Sequence, residues 1–251
     1  METAADDIMT DARVEALIEE SKFLSALPRG AAEMLAAAAR TRALRPGEYS
    51  ARQGDPVFGL AWLHSGLMFV FFEMSDGSRV PHMVAWPDSV GFDGLLGDGR
   101  FPASTAALTP ATLFWVTREV AEEVAHQHPE LMSSLFHYAV RQGEARSIWL
   151  GHLFSLPLRG RVRLLLARMA VEMGQAGRGG RILDFPMSHR TLATIAQVSR
   201  DEVGRAVREL LADGVIERIE GRRFLVPDVG RLLGPSLLES AVGTGLLRDV
   251  G

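Results

Sequence analysis

The residues best equipped for chemistry lie in one stretch, SHRTLATIAQVSRDEVGRAVRELLA, residues 188–212. Arg200, Arg205 and Arg208 fall there with Asp201 among them. A guanidinium presents its donors in a rigid fork, two of which match O6 and N7 of guanine, and a carboxylate can accept from N4 of cytosine. That chemistry is recognition. Nothing elsewhere in the chain assembles an acid, a base and a nucleophile into a catalytic constellation, so the sequence reads as no enzyme.

Local signals predict how these groups are held. Ser188 is an N-cap for a short helix from about His189 to Ala196, with Leu192, Ala193 and Ile195 to bury. Ser199 is a second N-cap, and Glu202, three residues on, completes a capping box. The following helix runs to about Ala212. Its apolar face carries Val203, Ala206, Val207, Leu210 and Leu211, and its polar face Arg200, Asp201, Gly204, Arg205 and Arg208. Two short helices across a tight turn, the second bearing arginines near its start, form a helix-turn-helix. The stretch after Gly214 reads as a β-hairpin wing, with Arg222 and Arg223 at its tip for phosphates. Ser188 and His189 complete the DNA-facing set.

The charge distribution agrees with that reading. The 251 residues carry a net charge of −4, but Arg159 to Val226 holds 13 Arg against 8 Asp/Glu, a local +5, leaving −9 for the rest. A basic module is joined to an acidic one. With 47% hydrophobic residues the chain can build two cores. The absence of cysteine excludes disulfides, thiolate metal sites and cysteine-held Fe–S clusters or haem. No secretory leader and no apolar run near about 18 residues is visible, so a cytoplasmic protein without a membrane partner is expected.

Upstream, residues 23–40 predict one or two short helices broken near Pro28. From about Leu44 to Thr117, apolar stretches alternate with turn signals such as Pro46-Gly47, Ser65-Gly66 and Asp76-Gly77, predicting a small antiparallel barrel or sandwich. After Pro129 a long helix is expected, with Met132, Phe136, Ala139, Gly143, Arg146, Leu150 and Leu153 as a coiled-coil dimer seam. Gly143 and Arg146 suit a seam interrupted by a ligand pocket better than a buried core. Pro157 ends that helix, another follows to Gly174, and QAGRGGR (175–181) reads as a loop. The last segment, 229–251, predicts a short helix packing on either domain.

These pieces together resemble the Crp/Fnr family of bacterial transcription regulators. The carrying motifs are LRPGEYSARQGDP (44–56), LHSG (63–66), PDSVGFDGLL (87–96), the Gly160-Arg161 pair and, most specific, VSRDEVGR (198–205). The resemblance implies an α+β chain in five parts: an acidic N-terminal extension (1–21), an antiparallel β-roll (double-stranded β-helix) sensor (22–128), a dimerisation helix (129–156), a winged helix-turn-helix domain (157–228) and a C-terminal tail (229–251). It implies a homodimer that reads palindromic double-stranded DNA and works with RNA polymerase. Arg200, Asp201 and Arg205 match the family's base-reading positions. Asp201 stands where the family usually carries Glu, one methylene shorter, and Gln197 occupies a turn position where Gly is common.

The sensor pocket implied by the resemblance comprises Phe92, Asp93, Gly94, Leu95, Arg100, Ala103 and Ser104, with Arg146 and Ser147 from the long helix. Members that bind cyclic AMP place a Glu against the ribose and an Arg-Ser pair against the phosphate. Here the Glu position is Phe92, followed by Asp93, and Pro102-Ala103 fall where Arg-Ser would lie, leaving Arg100 or Ser104 as substitutes. Since a buried phosphate needs cations and donors, the sequence does not favour a cyclic nucleotide, and the effector is open. The seven histidines lack recurring metal spacings and no metal site is assigned, although histidine-ligated haem stays open. Two alternatives stand beside the regulator: a sensor or partner-binding module whose winged helix does not read DNA, and a cupin-like metalloenzyme.

Overall fold

In the computed structural model, residues 10–92, 97–183, 188–219, 223–244 and 247 are described. The chain divides into two compact units, Met1–Gln142 and Gly143–Gly251, so that the boundary falls inside the long helix Glu130–Ser155. The architecture is α+β: an antiparallel β-roll, the long helix, then a winged helix-turn-helix.

In the first unit, eight strands form two four-stranded antiparallel sheets. They are β1 (Arg40–Leu44), β2 (Tyr49–Ala51), β3 (Gly59–Ser65), β4 (Met68–Glu73), β5 (Arg79–Ala85), β6 (Val90–Gly91), β7 (Ser104–Ala107) and β8 (Ala111–Thr117). One sheet has the order β1-β8-β3-β6 and the other β2-β7-β4-β5. The glycine and proline punctuation of the sequence lies between these strands. Gly66 turns β3 into β4 at φ 86°, and a Cβ there would collide with the Pro110 carbonyl, which is why LHSG ends in glycine.

Helices cover one end of the roll. Asp11–Glu20 buries Val14, Leu17 and Ile18, giving the acidic extension a packed inner face. Lys22–Ser25 and Arg29–Ala38 follow on either side of Pro28, as their residues predict. Phe23, Leu35, Leu60, Trp62, Leu131 and Leu135 belong to one core, which ties the start of the long helix to the roll. The helix Arg118–Gln127 has no strong sequence signature, since it buries only Ala121 and Val124.

The second unit is organised by the helix Leu158–Met173, which buries Val162, Leu165, Leu166 and Met169, and by a four-stranded sheet of β9 (Gln175–Gly177), β10 (Gly180–Leu183), β11 (Glu217–Arg218) and β12 (Phe224–Val226) in the order β11-β12-β10-β9. The loop expected over 175–181 is instead a hairpin of β9 (Gln175–Gly177) and β10 (Gly180–Leu183), turning at Gly179 with φ 89°. Glycines that look like a loop are here the turn and edge of a sheet. Two helices, Val229–Leu233 and Pro235–Gly243, form the tail, which packs Leu232, Leu233, Ala241 and Leu247 into the interior. Among the described residues no helix is long and apolar enough to cross a membrane.

Candidate nucleic-acid interface

The helix-turn-helix is built as its caps dictate. Ser188 Oγ accepts from the Thr191 amide at 3.1 Å and starts the helix His189–Ala196. The turn comes at Gln197, left-handed at φ 52°, ψ 50°, whose amide closes on the Ala193 carbonyl. At Ser199 the capping box is complete: Oγ accepts from the Glu202 amide at 3.2 Å and the Ser199 amide donates to Glu202 Oε2 at 2.7 Å. The Ser199 hydroxyl holds the Glu202 carboxyl below the usual carboxylate range, with the backbone amide and nearby Arg205 and Arg161 helping against some desolvation.

The recognition helix Arg200–Ala212 buries Val203, Gly204, Ala206, Val207 and Leu210 and exposes Arg200, Asp201, Arg205 and Arg208. At Gly204 a Cβ would meet only side-chain ends at ordinary contact distance, His189 Nδ1 at 3.5 Å and an Arg208 guanidinium nitrogen at 3.4 Å. Arg200, Asp201, Arg205 and Arg208 make no ion pair and no side-chain hydrogen bond among the described residues. Their charges are therefore available to a partner. Ser188 and His189 are exposed on the same two-helix unit. In the wing, β11 (Glu217–Arg218) pairs with β12 (Phe224–Val226). Arg223 is half-buried next to β12, its carbonyl accepting from the Ile219 amide at 3.2 Å, while Arg222 lies outside the described residues.

Arg161 was legible only as half of a motif, and its contacts give it a role. Its Nε donates to the Leu156 carbonyl at 3.2 Å, just past the long helix, and its guanidinium reaches the Gln197 carbonyl in the helix-turn-helix turn at 3.4 Å. One arginine thus spans the end of the long helix and the turn that sets the recognition helix. Arg159 adds an ion pair to Glu209 at 2.8 Å.

Among the described residues, the expected sensor residues of the roll are engaged within it. Phe92 is half-buried and packs on the core with Tyr138, ring centroids 6.3 Å apart. Asp93, Gly94 and Leu95 lie outside the described residues. Arg100 donates to the Gly54 carbonyl at 2.7 Å, and Ala103 is buried. Ser104, fully buried, accepts from the Gln53 amide at 3.0 Å and donates to Glu73 Oε2 at 2.7 Å. Glu73 also accepts from the Tyr49 hydroxyl at 3.1 Å and lies near Arg79. The Ser104 hydrogen bond is the largest cause holding Glu73 below the usual carboxylate range. Arg100 and Ser104, the two substitutes for a phosphate contact, are thus both engaged within the roll. Arg146 is half-buried and Ser147 donates to its own helix at Gly143 O, 2.9 Å; both belong to the second unit.

Along the long helix the expected seam divides. Met132 and Phe136 are exposed, Phe136 by 62%. Ala139, Gly143, Arg146 and Leu150 are intermediate, and Leu153 is buried within its own unit. Among the described residues no three His, Asp or Glu side chains converge as metal ligands.

Comparison with known proteins assigns both halves. A family model for the Crp-like helix-turn-helix domain matches residues 160–234, and one for the cyclic nucleotide-binding domain matches residues 41–128. The transcriptional activator protein FnrL of Cereibacter sphaeroides is 26% identical over 197 residues, covering 76% of this chain and 78% of FnrL. Among solved structures, FixK2 from Bradyrhizobium japonicum aligns with a TM-score of 0.66 at 20% identity, over 77% of this chain and 95% of FixK2. A CRP-family transcriptional regulator from Thermus thermophilus aligns at 0.62 and 21% identity, over 78% and 98% of the two chains. These two share the fold.

Proposed function

Because this chain belongs to the Crp/Fnr family of transcription regulators, a family of DNA-binding proteins and not of enzymes, we propose that it acts in the cytoplasm as a homodimer. The dimer reads a palindromic operator and works there with RNA polymerase. The observation that carries this reading is the recognition helix, whose capped N-terminus presents Arg200, Asp201, Arg205 and Arg208 to solvent with no ion pair or side-chain hydrogen bond among the described residues. In the major groove Arg205 and Arg200 would donate to guanine edges, and Asp201 would accept from cytosine or orient an arginine. Arg223 and the arginine beside it in sequence, Arg222, would meet phosphates.

Two recognition helices reading one palindrome require a two-fold dimer, and the exposed Met132 and Phe136 of the long helix supply an apolar strip for its seam. Signal transfer then runs along that helix. A change in the roll, caused by an effector or by its loss, shifts the helix pair, and Arg161 passes the shift from Leu156 to the Gln197 turn. The engagement of Arg100 and Ser104 inside the roll argues for an effector other than a cyclic nucleotide.

Selection of random duplexes by the purified protein, with mass measured in solution, tests the reading. A palindromic consensus bound by a two-protomer species, with affinity falling steeply as salt rises, is expected. Failure to enrich any sequence would instead favour a winged helix that contacts protein.

A further inference from the structure

The recognition unit contains a cavity of about 360 Å³, lined in part by Ser188, His189 and Arg200 of the DNA-facing set. Its apolar wall is aliphatic: Leu166, Leu192, Val207 and Ile216, with Phe224 from the wing. Among the described residues its polar lining is Arg190, Arg200, Arg218, His189 and Ser188, with no carboxylate. Arg190 and Arg200 have no ion-pair partner among the described residues, and Arg218 rests over the Phe224 ring at 5.4 Å.

Apolar space next to unpartnered guanidinium groups has a defined chemical complement. An aliphatic wall gains dispersion contacts and sheds water when a chain fills it. A guanidinium beside that wall binds an anion more strongly than one in open water, and its planar fork matches a carboxylate. A cavity of this size is at the small end of ligand pockets, which run from about 300 to 1,000 Å³. The geometry points to a second ligand site, in the DNA-binding unit itself, for an amphipathic alkyl carboxylate. Its chain lies against Leu192 and Val207 and its head group on Arg218, Arg190 and Arg200.

The position gives the site a consequence. Arg200 belongs both to the cavity and to the DNA-facing set, so a carboxylate seated on it competes with the duplex. Occupancy lowers operator affinity directly, without a signal from the roll.

Calorimetric titration of the full-length protein with decanoate, below its micelle concentration and without DNA, tests the site. One saturable site per protomer is expected, and decanol, with the same chain and no charge, should bind at least roughly tenfold more weakly. Arg218→Gln removes an exposed rim cation that has no assigned DNA contact, and should weaken decanoate by roughly tenfold. Leu192→Phe fills the cavity and should abolish binding, its fold being checked by a cooperative melt. No saturable binding, or binding that Arg218→Gln leaves unchanged, overturns the site. If decanoate binds as expected but operator affinity at saturation is unaltered, the competition is wrong. Since the titration contains no DNA, its result is independent of whether the chain reads an operator.

Discussion

The β-roll and the recognition unit handle their polar groups in opposite ways. In the roll, Ser104, Glu73, Tyr49 and Arg79 are joined to one another: Ser104 donates to Glu73, Tyr49 donates to its other oxygen, and Arg79 donates to the Tyr49 hydroxyl at 2.6 Å. In the recognition helix, Arg200, Arg205 and Arg208 are exposed and make no ion pair or side-chain hydrogen bond among the described residues, although the backbone beneath them is tightly capped. The contrast separates two uses of polarity. Groups engaged with one another define the shape of a domain, whereas groups held rigidly but left unpartnered are positioned for something outside the chain.

If that division is right, deletions in the two regions must affect different measurements. The largest effect is expected from Arg205→Ala. It should cost about 1–3 kcal/mol of operator binding and relax one base position in each half-site, with the thermal midpoint nearly unchanged. Competition binding against single-base operator variants reads it. An equal loss for every operator would make Arg205 a phosphate contact and weaken the comparison at its strongest point.

Ser104→Ala is the counterpart in the roll. It removes the hydroxyl that satisfies both Glu73 and the Gln53 amide, and should destabilise the roll by about 1 kcal/mol while leaving operator discrimination intact. It should also let the Glu73 carboxyl return upward toward its ordinary range, because that hydrogen bond is the main cause of its depression. Denaturant melts and a carboxyl-resolved NMR titration report the two effects. Unchanged stability with an altered operator preference would erase the distinction between the regions.

The two regions also differed in how much of them could be read beforehand. The recognition helix was legible because its determinants are local: a serine and a glutamate three residues apart specify the cap, and the arginine side follows from helical periodicity. The Ser104–Glu73 pair was not legible, because it depends on the register in which β7 meets β4, with Phe71 opposite Ser104. No spacing encodes a contact between residues 31 apart. The long helix shows an intermediate case. Leu131 and Leu135 face the core while Met132 and Phe136, one step along, are exposed, and a stripe of apolar residues does not say which of two adjacent stripes turns inward. The helix Arg118–Gln127 and the hairpin of β9 and β10 carry no apolar periodicity; their positions come from packing and strand pairing.

Gln197 sharpens the comparison from the side of the backbone. The sequence placed a non-glycine residue where the turn was expected to favour glycine, and the structure holds it at φ 52°. A left-handed conformation costs a residue with a Cβ roughly 1 kcal/mol, so Gln197→Gly should stabilise the protein by somewhat under about 1 kcal/mol. The Arg161 contact is to the Gln197 carbonyl and survives the change. Operator affinity should therefore hold while the melting midpoint rises. A fall in operator affinity would mean that the strained turn sets the recognition helix and that rigidity and reading are not separable here.

The smallest effect tests whether the recognition unit also keeps an internally engaged polar group away from its DNA-facing side. His152 is buried near the end of the long helix, with Nε2 3.2 Å from Thr244 Oγ1 in the tail. The Thr244 hydroxyl donates to the Ser240 carbonyl at 2.8 Å, which leaves it to accept from His152 and places a proton on Nε2. Burial lowers the His152 pKa below its ordinary 6.5, since the charged form loses hydration. The unfolded chain then binds the proton more readily than the folded one, and the stabilisation is complete above the unfolded value and declines as pH falls below it toward the folded value. Melts of the wild type and His152→Gln between about pH 7.5 and about pH 5.5 isolate this contribution, because carboxylate effects common to both chains cancel in the difference. The wild type's advantage should shrink as the solution is acidified, with operator affinity per folded molecule unaltered. An advantage that grows on acidification would require a charged His152 with an anionic partner, and the tail would then belong with the groups held for an outside contact.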